Sequence, residues 1–347
     1  MARDNKTLKT VLITHLSKID DVAMAIPIVY SVCHANPKEN FILATDKEAE
    51  GLFVNRPSNL IVLGIESSRY QGIIDPITLA SNLHHRYNFD AMVNLNNNVS
   101  TKFMALNLKT KGVTTATIGN IYKKPRKILG GNIKQYVTPV HAHYKAVFLK
   151  LGLKADSEFN SIFDNIEAPQ SDVLPRKEND EKWIAIAPFA KYECRQYPLE
   201  QMQLVITEIA RWEKHTIFLI ASEKHQNEIN SIAQRYDNVV AIDNSHLSDT
   251  HQMTLLNHCD VMITMDSPYL HIASIVGIPA VSVWGATHPA CGFMGWRQAI
   301  KDTVHLDIEC QPCSLRGNKK CRFSDYHCLR DISPELIIKK VKTVLER

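Results

Sequence analysis

The residues best placed to do chemistry lie in one stretch, Val261 to Pro289, VMITMDSPYLHIASIVGIPAVSVWGATHP. A short apolar run, Val261–Thr264, reads as a buried strand. Asp266 and Ser267 follow, both good helix N-caps, and Pro268 stands where a missing N–H costs nothing. Leu270, Ile272, Ala273 and Val276 offer a buried helix side, and Gly277 with Pro279 stops the helix. A second β-rich run, Ala280–Trp284, leads into the small-residue loop Gly285-Ala286-Thr287-His288-Pro289. This is strand, turn, helix and strand, with a helix N-terminus at the carboxyl edge of a parallel sheet. Unpaired N–H groups and the helix dipole make such a place suited to an anion, above all a diphosphate. Any βαβ unit shares this outline, so the pattern alone leaves a ligand site and plain scaffold equally open.

Other groups with chemical potential are scattered. Asp21 follows the first strand-like run and, on the residues alone, reads as a first-turn helix carboxylate stabilised by the dipole. Glu223 stands just past the run Thr216–Ala221, where an acidic side chain could hold a ribose hydroxyl. Four of the eight cysteines are spaced Cys310-x2-Cys313-x7-Cys321-x6-Cys328. In a reducing compartment that spacing suits a closed structural zinc site, while free thiols or a redox-labile pair remain the other readings. No Asp-x-Asp, Gly-x-Gly-x-x-Gly or Walker lysine loop occurs, which argues against a dehydrogenase or a phosphate-hydrolysing motor.

The elements that must position these groups alternate. Strand candidates are Thr10–Thr14, Phe41–Ala44, Leu60–Leu63, Ala91–Val93 and Val113–Thr117. Helical segments are expected over 21–35, 47–53, 76–85, 101–108 and 141–151. The polar, proline-bearing stretch 166–182 reads as a linker. The alternation then restarts with Trp183–Ala187 and runs through Leu199–Trp212, Thr216–Ala221, Glu223–Arg235, Val239–Ile242 and Asp249–His258 to the Val261 stretch, closing on an amphipathic helix, Pro334–Glu346. Such alternation predicts parallel, doubly wound sheets. The expected domains are 1–165 and 183–347, the second carrying the Cys-rich segment 310–328 and the terminal helix.

Composition bounds the class. The chain has 347 residues, 45% hydrophobic and 22% charged, as in a globular protein with ample core. No apolar run is long enough to span a bilayer, and no signal core precedes the first strand, so a cytoplasmic location is expected. Residues 1–165 hold 20 Lys and Arg against 13 Asp and Glu, and Ala91 to Ala155 contains eleven Lys and Arg with no Asp or Glu. Such a bias favours an anionic partner. Aromatic residues are not interleaved with the basic ones, so a nucleic-acid partner is not expected.

The run D-S-x-x-x-H-x-A followed by G-x-P-x-V-x-x-W-G-x-T resembles the donor-site signature of glycosyltransferase family 9, the ADP-heptose:lipopolysaccharide heptosyltransferases. The matching residues are Asp266, Ser267, His271, Ala273, Gly277, Pro279, Val281, Gly285 and Thr287. Pro268 stands where the family usually has Gly. The run L-S-K-I-D-D-V at 16–22 resembles the family's L-S-x-x-G-D-V, with Asp20 in the Gly position. The resemblance implies that Asp21 is the general base toward an acceptor hydroxyl, with Ser17 and Lys18 on the acceptor side. The segment Lys191 to Pro198 resembles a family loop ending K-x-W-P, with Arg195 in the Lys position, which implies that Arg195 or Lys191 meets the donor diphosphate.

The resemblance covers nearly the whole chain. It implies an α/β protein of GT-B type, with two Rossmann-like domains facing a cleft, the first binding the acceptor and the second the nucleotide sugar, here expected to be ADP-heptose. It further implies inverting, metal-independent transfer onto a phosphorylated lipid A–core or other glycan acceptor, with peripheral contact at the anionic inner face of the membrane. Three rival readings stand beside it. One is a catalytically inactive protein of the same fold that binds a nucleotide sugar or anionic glycolipid, suggested by Asp20 and Pro268. Another is a nucleotide-sugar 2-epimerase of like architecture, which would require acid/base pairs that the sequence does not show. The third is a basic-surface membrane or nucleic-acid adaptor, which predicts strongly salt-dependent binding with no nucleotide effect.

Overall fold

A computed structural model of the chain describes residues 9–70, 72–131, 133, 135–156, 158–164, 175–243 and 247–347. Residues 166–174 of the expected linker lie outside the described residues. The chain divides into two compact units, the first made of 1–121 and 140–162, the second of 122–139 and 163–347.

In the first unit, β1 (Thr10–His15), α1 (Ile19–Ala23) and α2 (Ile26–Ala35) precede β2 (Asn40–Asp46) and β3 (Leu60–Ile65). Then come α3 (Ile74–Tyr87), β4 (Ala91–Asn94), α4 (Val99–Thr110), β5 (Thr114–Thr117) and α5 (Val140–Leu149). The five strands are parallel in the order β3-β2-β1-β4-β5. Val11, Leu12 and Ile13 of β1 are fully buried, as expected for a central strand covered on both faces. Leu12, Ile42 and Met92 pack with Leu79, Leu83, Met104 and Leu108 from α3 and α4 on one face.

Two expected helices differ from the sequence reading. The segment expected as one helix over 21–35 is broken at Met24–Ala25. Pro27 lies in the first turn of α2, where its ring cannot follow an unbroken helical turn and its missing N–H is harmless. Residues 47–52 form a 3₁₀ helix rather than an α-helix, begun by the Asp46 side chain accepting from the Glu48 N–H.

The second unit contains β6 (Lys182–Ile186), α6 (Leu199–Ala210), β7 (His215–Leu219), α7 (Gln226–Ala233), β8 (Val239–Ala241) and α8 (Asp249–His258). It continues with β9 (Val261–Met265), α9 (Pro268–Val276), β10 (Ala280–Val283), β11 (Thr303–Val304), α10 (His327–Arg330) and α11 (Pro334–Leu345). The six parallel strands run β11-β10-β9-β6-β7-β8. Numbered from its own first strand, this is the 3-2-1-4-5-6 order of a dinucleotide-binding sheet. Ile184, Ile186, Ile263 and Val281 pack with Met202, Val205 and Ile209 of α6 and Ile337 and Val341 of α11. Tyr197 anchors the start of α6 by donating its buried hydroxyl to the Ile332 carbonyl at 2.8 Å.

The expected first domain, 1–165, includes a segment that contacts assign elsewhere. Residues 122–139 belong to the second unit: the Val137 N–H donates to the Ala290 carbonyl at 3.0 Å and the Gly130 N–H to Pro312 at 2.7 Å. The basic stretch is divided accordingly. Lys102, Lys109, Lys111, Lys145, Lys150 and Lys154 stay with the first unit, whereas the exposed Lys123, Lys124, Arg126 and Lys127 go to the second. Among the described residues no helix is long and apolar enough to cross a membrane.

Candidate functional site

In both sheets the order reverses beside the first strand, between β1 and β4 and between β6 and β9. Ligands of open parallel sheets collect beyond the carboxyl ends of the strands at such points. The chemically promising residues gather there.

At the β6/β9 point, β9 gives way to Asp266 and Ser267. Ser267 is extended (φ −142°, ψ 170°) and its Oγ accepts the Tyr269 N–H at 3.3 Å while meeting Thr264 Oγ1 at 2.9 Å. Pro268 is the first helical residue, where its missing N–H costs nothing, and Tyr269 is the second, the usual partner of an N-cap side chain. Gly277, at φ 83°, ends α9 in the left-handed conformation that a Cβ would disfavour. His271 is buried within α9. Arg195 folds onto Asp266: its Nη1 donates to the Asp266 carbonyl at 3.1 Å and its Nε lies 3.3 Å from Oδ2. Both side chains are nearly buried, 12% and 8% exposed, so each charge depends on the other in place of water. Gly317, at φ 60°, is the close neighbour that admits them, since a Cβ there would collide with the Arg195 side chain. Lys191 and Glu223 are exposed on the loops after β6 and β7. These two loops are joined by Phe189 and His225, whose rings stack at 4.0 Å.

The loop after β10 is held from behind by the Cys-rich segment. Gln311 is buried, and its Nδ-equivalent amide nitrogen, Nε2, donates to three carbonyls: Trp284 at 3.1 Å, Gly285 at 2.6 Å and Thr287 at 3.1 Å. The N–H groups of Cys313 and Ser314 both take the Ala286 carbonyl at 3.0 Å, and the Ala286 N–H donates to Cys194. Four consecutive carbonyls are thereby occupied on one side. Gly285 is required by contact: a Cβ would lie 2.5 Å from Leu329 Cγ and 2.8 Å from the Cys194 carbonyl oxygen. Thr287 is 2% exposed, and its Oγ1 has no hydrogen-bond partner among the described residues. A buried hydroxyl in that condition is an available ligand contact. His288 is also buried, and desolvation, with the neighbouring His305 adding to it, lowers its pKa to about 4.

Cys310, Cys313 and Cys321 line one cavity of about 930 Å³ with Glu309, Asp325 and His327. Cys328 packs into the apolar core beside Leu329 while its thiol stays within electrostatic reach of Cys310, Cys313 and Cys321. Among the described residues no three His, Cys, Asp or Glu side chains converge as a metal-holding group. Burial pushes the thiols of Cys310 and Cys313 up and that of Cys328 up to about 12.

At the β1/β4 point, the first unit brings Ser17 and Asp21 together. Ser17 Oγ donates to Asp21 Oδ2 at 2.7 Å, and Asp20 and Asp21 occupy the first turn of α1, where the dipole favours negative charge. Lys18 is exposed at the N-cap position. Behind them Tyr144 of α5 links His15 Nε2, 3.2 Å away, and the Asp21 carbonyl, to which it donates at 3.4 Å. His15 is enclosed, and desolvation lowers its pKa to about 4, so its ring is neutral near pH 7. Gln311, Cys194, His15 and Tyr144 all escaped the sequence reading. Each acts on residues far along the chain, and spacing carries no signal of such partners.

Residues 79–327 match glycosyltransferase family 9 (heptosyltransferase). A lipooligosaccharide heptosyltransferase 2 from Campylobacter jejuni subsp. jejuni serotype O:2 is 23% identical over 339 residues, covering 94% of this chain and 96% of that one. A solved glycosyl transferase family 9 structure from Veillonella parvula superposes with a TM-score of 0.71 at 16% identity, covering 100% of this chain and 99% of the other. The E. coli heptosyltransferase WaaC with ADP superposes at 0.67 and 14% identity, covering 96% and 99%. The shared architecture is GT-B, two Rossmann-like units in one chain.

Proposed function

Starting from a chain that belongs to glycosyltransferase family 9, we propose that this glycosyltransferase moves heptose from ADP-heptose to a saccharide of the lipopolysaccharide core, inverting the anomeric centre. The observation that carries the reading is the construction at the β6/β9 switch point: a capped helix N-terminus, the Arg195 guanidinium held by Asp266, and the unpartnered buried hydroxyl of Thr287. Together they offer dipole, positive charge and a hydrogen bond to a departing diphosphate. In this reading Asp266 is the fixture that orients Arg195, while exposed Lys191 adds charge and Glu223 meets the ribose. His271 supports the α9 end of the loop from inside the helix.

The first unit supplies the other half of the reaction. Asp21, one oxygen held by Ser17, accepts the proton of an acceptor hydroxyl as that oxygen attacks the anomeric carbon. The bond formed is the new glycosidic C–O bond; the bond broken joins the anomeric carbon to the diphosphate, which leaves as ADP. Lys18 and the α4 lysines Lys102 and Lys109 suit a phosphorylated acceptor presented at the inner face of the membrane. Names of relatives support this choice of substrates: one solved relative holds ADP-2-deoxy-2-fluoro heptose, and another is an ADP-heptose lps heptosyltransferase II.

The test is transfer from ADP-heptose to a heptose-free core acceptor, read as ADP release and acceptor mass, with Asp21→Asn beside the wild type. Loss of one general base is expected to lower kcat about 10²–10⁴-fold. Equal rates in the two proteins would remove Asp21 from the reaction, and no transfer by wild type would remove the substrate assignment.

A further inference from the structure

The proposed reaction uses Ser17, Lys18 and Asp21 in the first unit and leaves a second set of polar side chains at the same switch point without a role. β4 ends at Asn94 and is followed by Leu95, Asn96, Asn97 and Asn98. Asn98 is accounted for structurally, since its Oδ1 caps α4 by accepting the Thr101 N–H at 2.8 Å. The other three are not.

Asn94 is fully buried. Its Oδ1 takes the Thr14 hydroxyl and the Asn96 N–H, each at 3.3 Å, and so fixes which end of the amide is oxygen. Its Nδ2 has no partner among the described residues. Asn96 is arranged the other way round. Its Nδ2 donates to the Leu16 carbonyl at 2.7 Å, leaving a buried Oδ1 with no partner among the described residues. Asn97 Oδ1 is likewise buried and unpartnered among the described residues, on a backbone held at φ 30°. Desolvated amide groups left unpaired are costly, and three at one strand end depart from how native interiors are built. Left-handed backbone at Asn97 adds strain of the kind found at binding loops.

The chemistry of the two free ends is complementary. Asn94 presents N–H donors and Asn96 presents a carbonyl acceptor, and the Asn96 backbone N–H donates to the Asn94 side chain. A phosphate oxygen would satisfy only the donor and an ammonium only the acceptor; a hydroxyl does both, accepting from one and donating to the other. The same network runs to the base, because Asn96 holds the Leu16 carbonyl and the next residue, Ser17, holds Asp21.

We infer that Asn94 and Asn96 form a subsite for one hydroxyl of the acceptor sugar, Asn94 donating and Asn96 accepting, with Asn97 at its rim. This rests on the glycosyltransferase reading, and it makes the two asparagines selectors of the acceptor rather than parts of the bond-making machinery.

The experiment measures acceptor binding without donor by titration calorimetry, using a heptose-free core oligosaccharide and mono-deoxy analogues of its terminal sugar, alongside steady-state kinetics. Asn94→Asp keeps the bonds to Thr14 and Asn96 and removes the amide protons. It is expected to weaken acceptor binding and raise acceptor KM about tenfold, with donor KM unchanged within twofold. Asn96→Ala, at a half-buried loop position, should do the same and keeps the test open if Asn94→Asp fails to fold. One deoxy analogue should bind wild type and both variants alike. Unchanged acceptor affinity in both variants, a change confined to the donor, or equal losses for every deoxy analogue would each overturn the subsite. Heptose transfer by wild type with indifferent variants would retain the reaction and remove the subsite. Weakened oligosaccharide binding in the variants of a wild type that transfers no heptose would retain the subsite and remove the reaction.

Discussion

Replacing Gln311 by Met removes the amide while keeping most of the side-chain volume, and it tests whether the loop after β10 is shaped by that single group. Nε2 carries two protons and serves three buried carbonyls, those of Trp284, Gly285 and Thr287. With Met, all three lose their donor. At about 1–3 kcal/mol per stranded buried acceptor, and with two protons' worth of bonding lost, the second unit should be destabilised by about 2–5 kcal/mol. A unit of this size shifts by roughly 2–4 °C per kcal/mol, so its transition should fall by about 5–15 °C. Scanning calorimetry is the assay, because two units can melt separately and only the second should move. ADP titration supplies the functional readout, and affinity should fall with the loop's geometry. Gln311→Glu should be at least as damaging, since it turns a carboxylate oxygen toward three carbonyl oxygens. A Met variant whose upper and lower transitions both stay within 1 °C of wild type, with ADP affinity intact, would refute the clamp.

Three other perturbations follow from the same contacts. His15 has its pKa lowered to about 4 by desolvation, so the unfolded chain binds a proton near its ordinary value of 6.5 while the folded one does not. Stability should therefore be full above about pH 6.5 and fall toward pH 4, by about 3 kcal/mol for this group, and the slope in denaturant titrations should flatten in His15→Gln. Gly285→Ala places a methyl against Leu329 and the Cys194 carbonyl; a cost of about 1–3 kcal/mol is expected in urea unfolding, and a neutral result would mean that the two loops separate freely. Tyr197→Phe removes the hydroxyl from the Ile332 carbonyl and should cost about 1–3 kcal/mol without altering ADP affinity, checked by the same two assays.

The strands were legible because periodicity and β-branched runs are local properties. Asp249–His258 was read to its ends, and the strands around Val261 and Ala280 within a residue or two. The break in the helix over 21–35 was also written locally, in Pro27, but the apolar run through Met24 and Ala25 masked it. What stayed illegible depends on distant partners. Gln311 looks like one polar residue between a cysteine and a proline, and only the carbonyls of a loop across the sheet edge give it a role. Asn94 reads as a polar residue just past a strand, yet its buried amide matters because Thr14, on the neighbouring strand, fixes its orientation. The cysteine spacing left zinc, free thiols and a redox-labile pair open, and it gave no sign that Cys328 would also pack into the core beside Leu329. Sequence proximity misled in the opposite sense for the basic stretch, whose lysines fall into different units.

The excursion of residues 122–139 has a consequence for how the protein must be made. During synthesis this segment emerges with all five strands of the first unit already made, and its partners Ala290 and Pro312 are added long afterwards. α5, which completes the first unit, comes after the excursion. The ribosome therefore delivers the polypeptide in an order that neither unit can use alone, and the segment must wait unattached for the far half of the chain. A gene cut at the apparent linker would leave the amino-terminal fragment with a surplus segment and the carboxyl-terminal fragment with an uncovered bed. Supplying 122–139 in trans, or grafting it onto the carboxyl-terminal fragment, is the construction by which the second half could be prepared by itself.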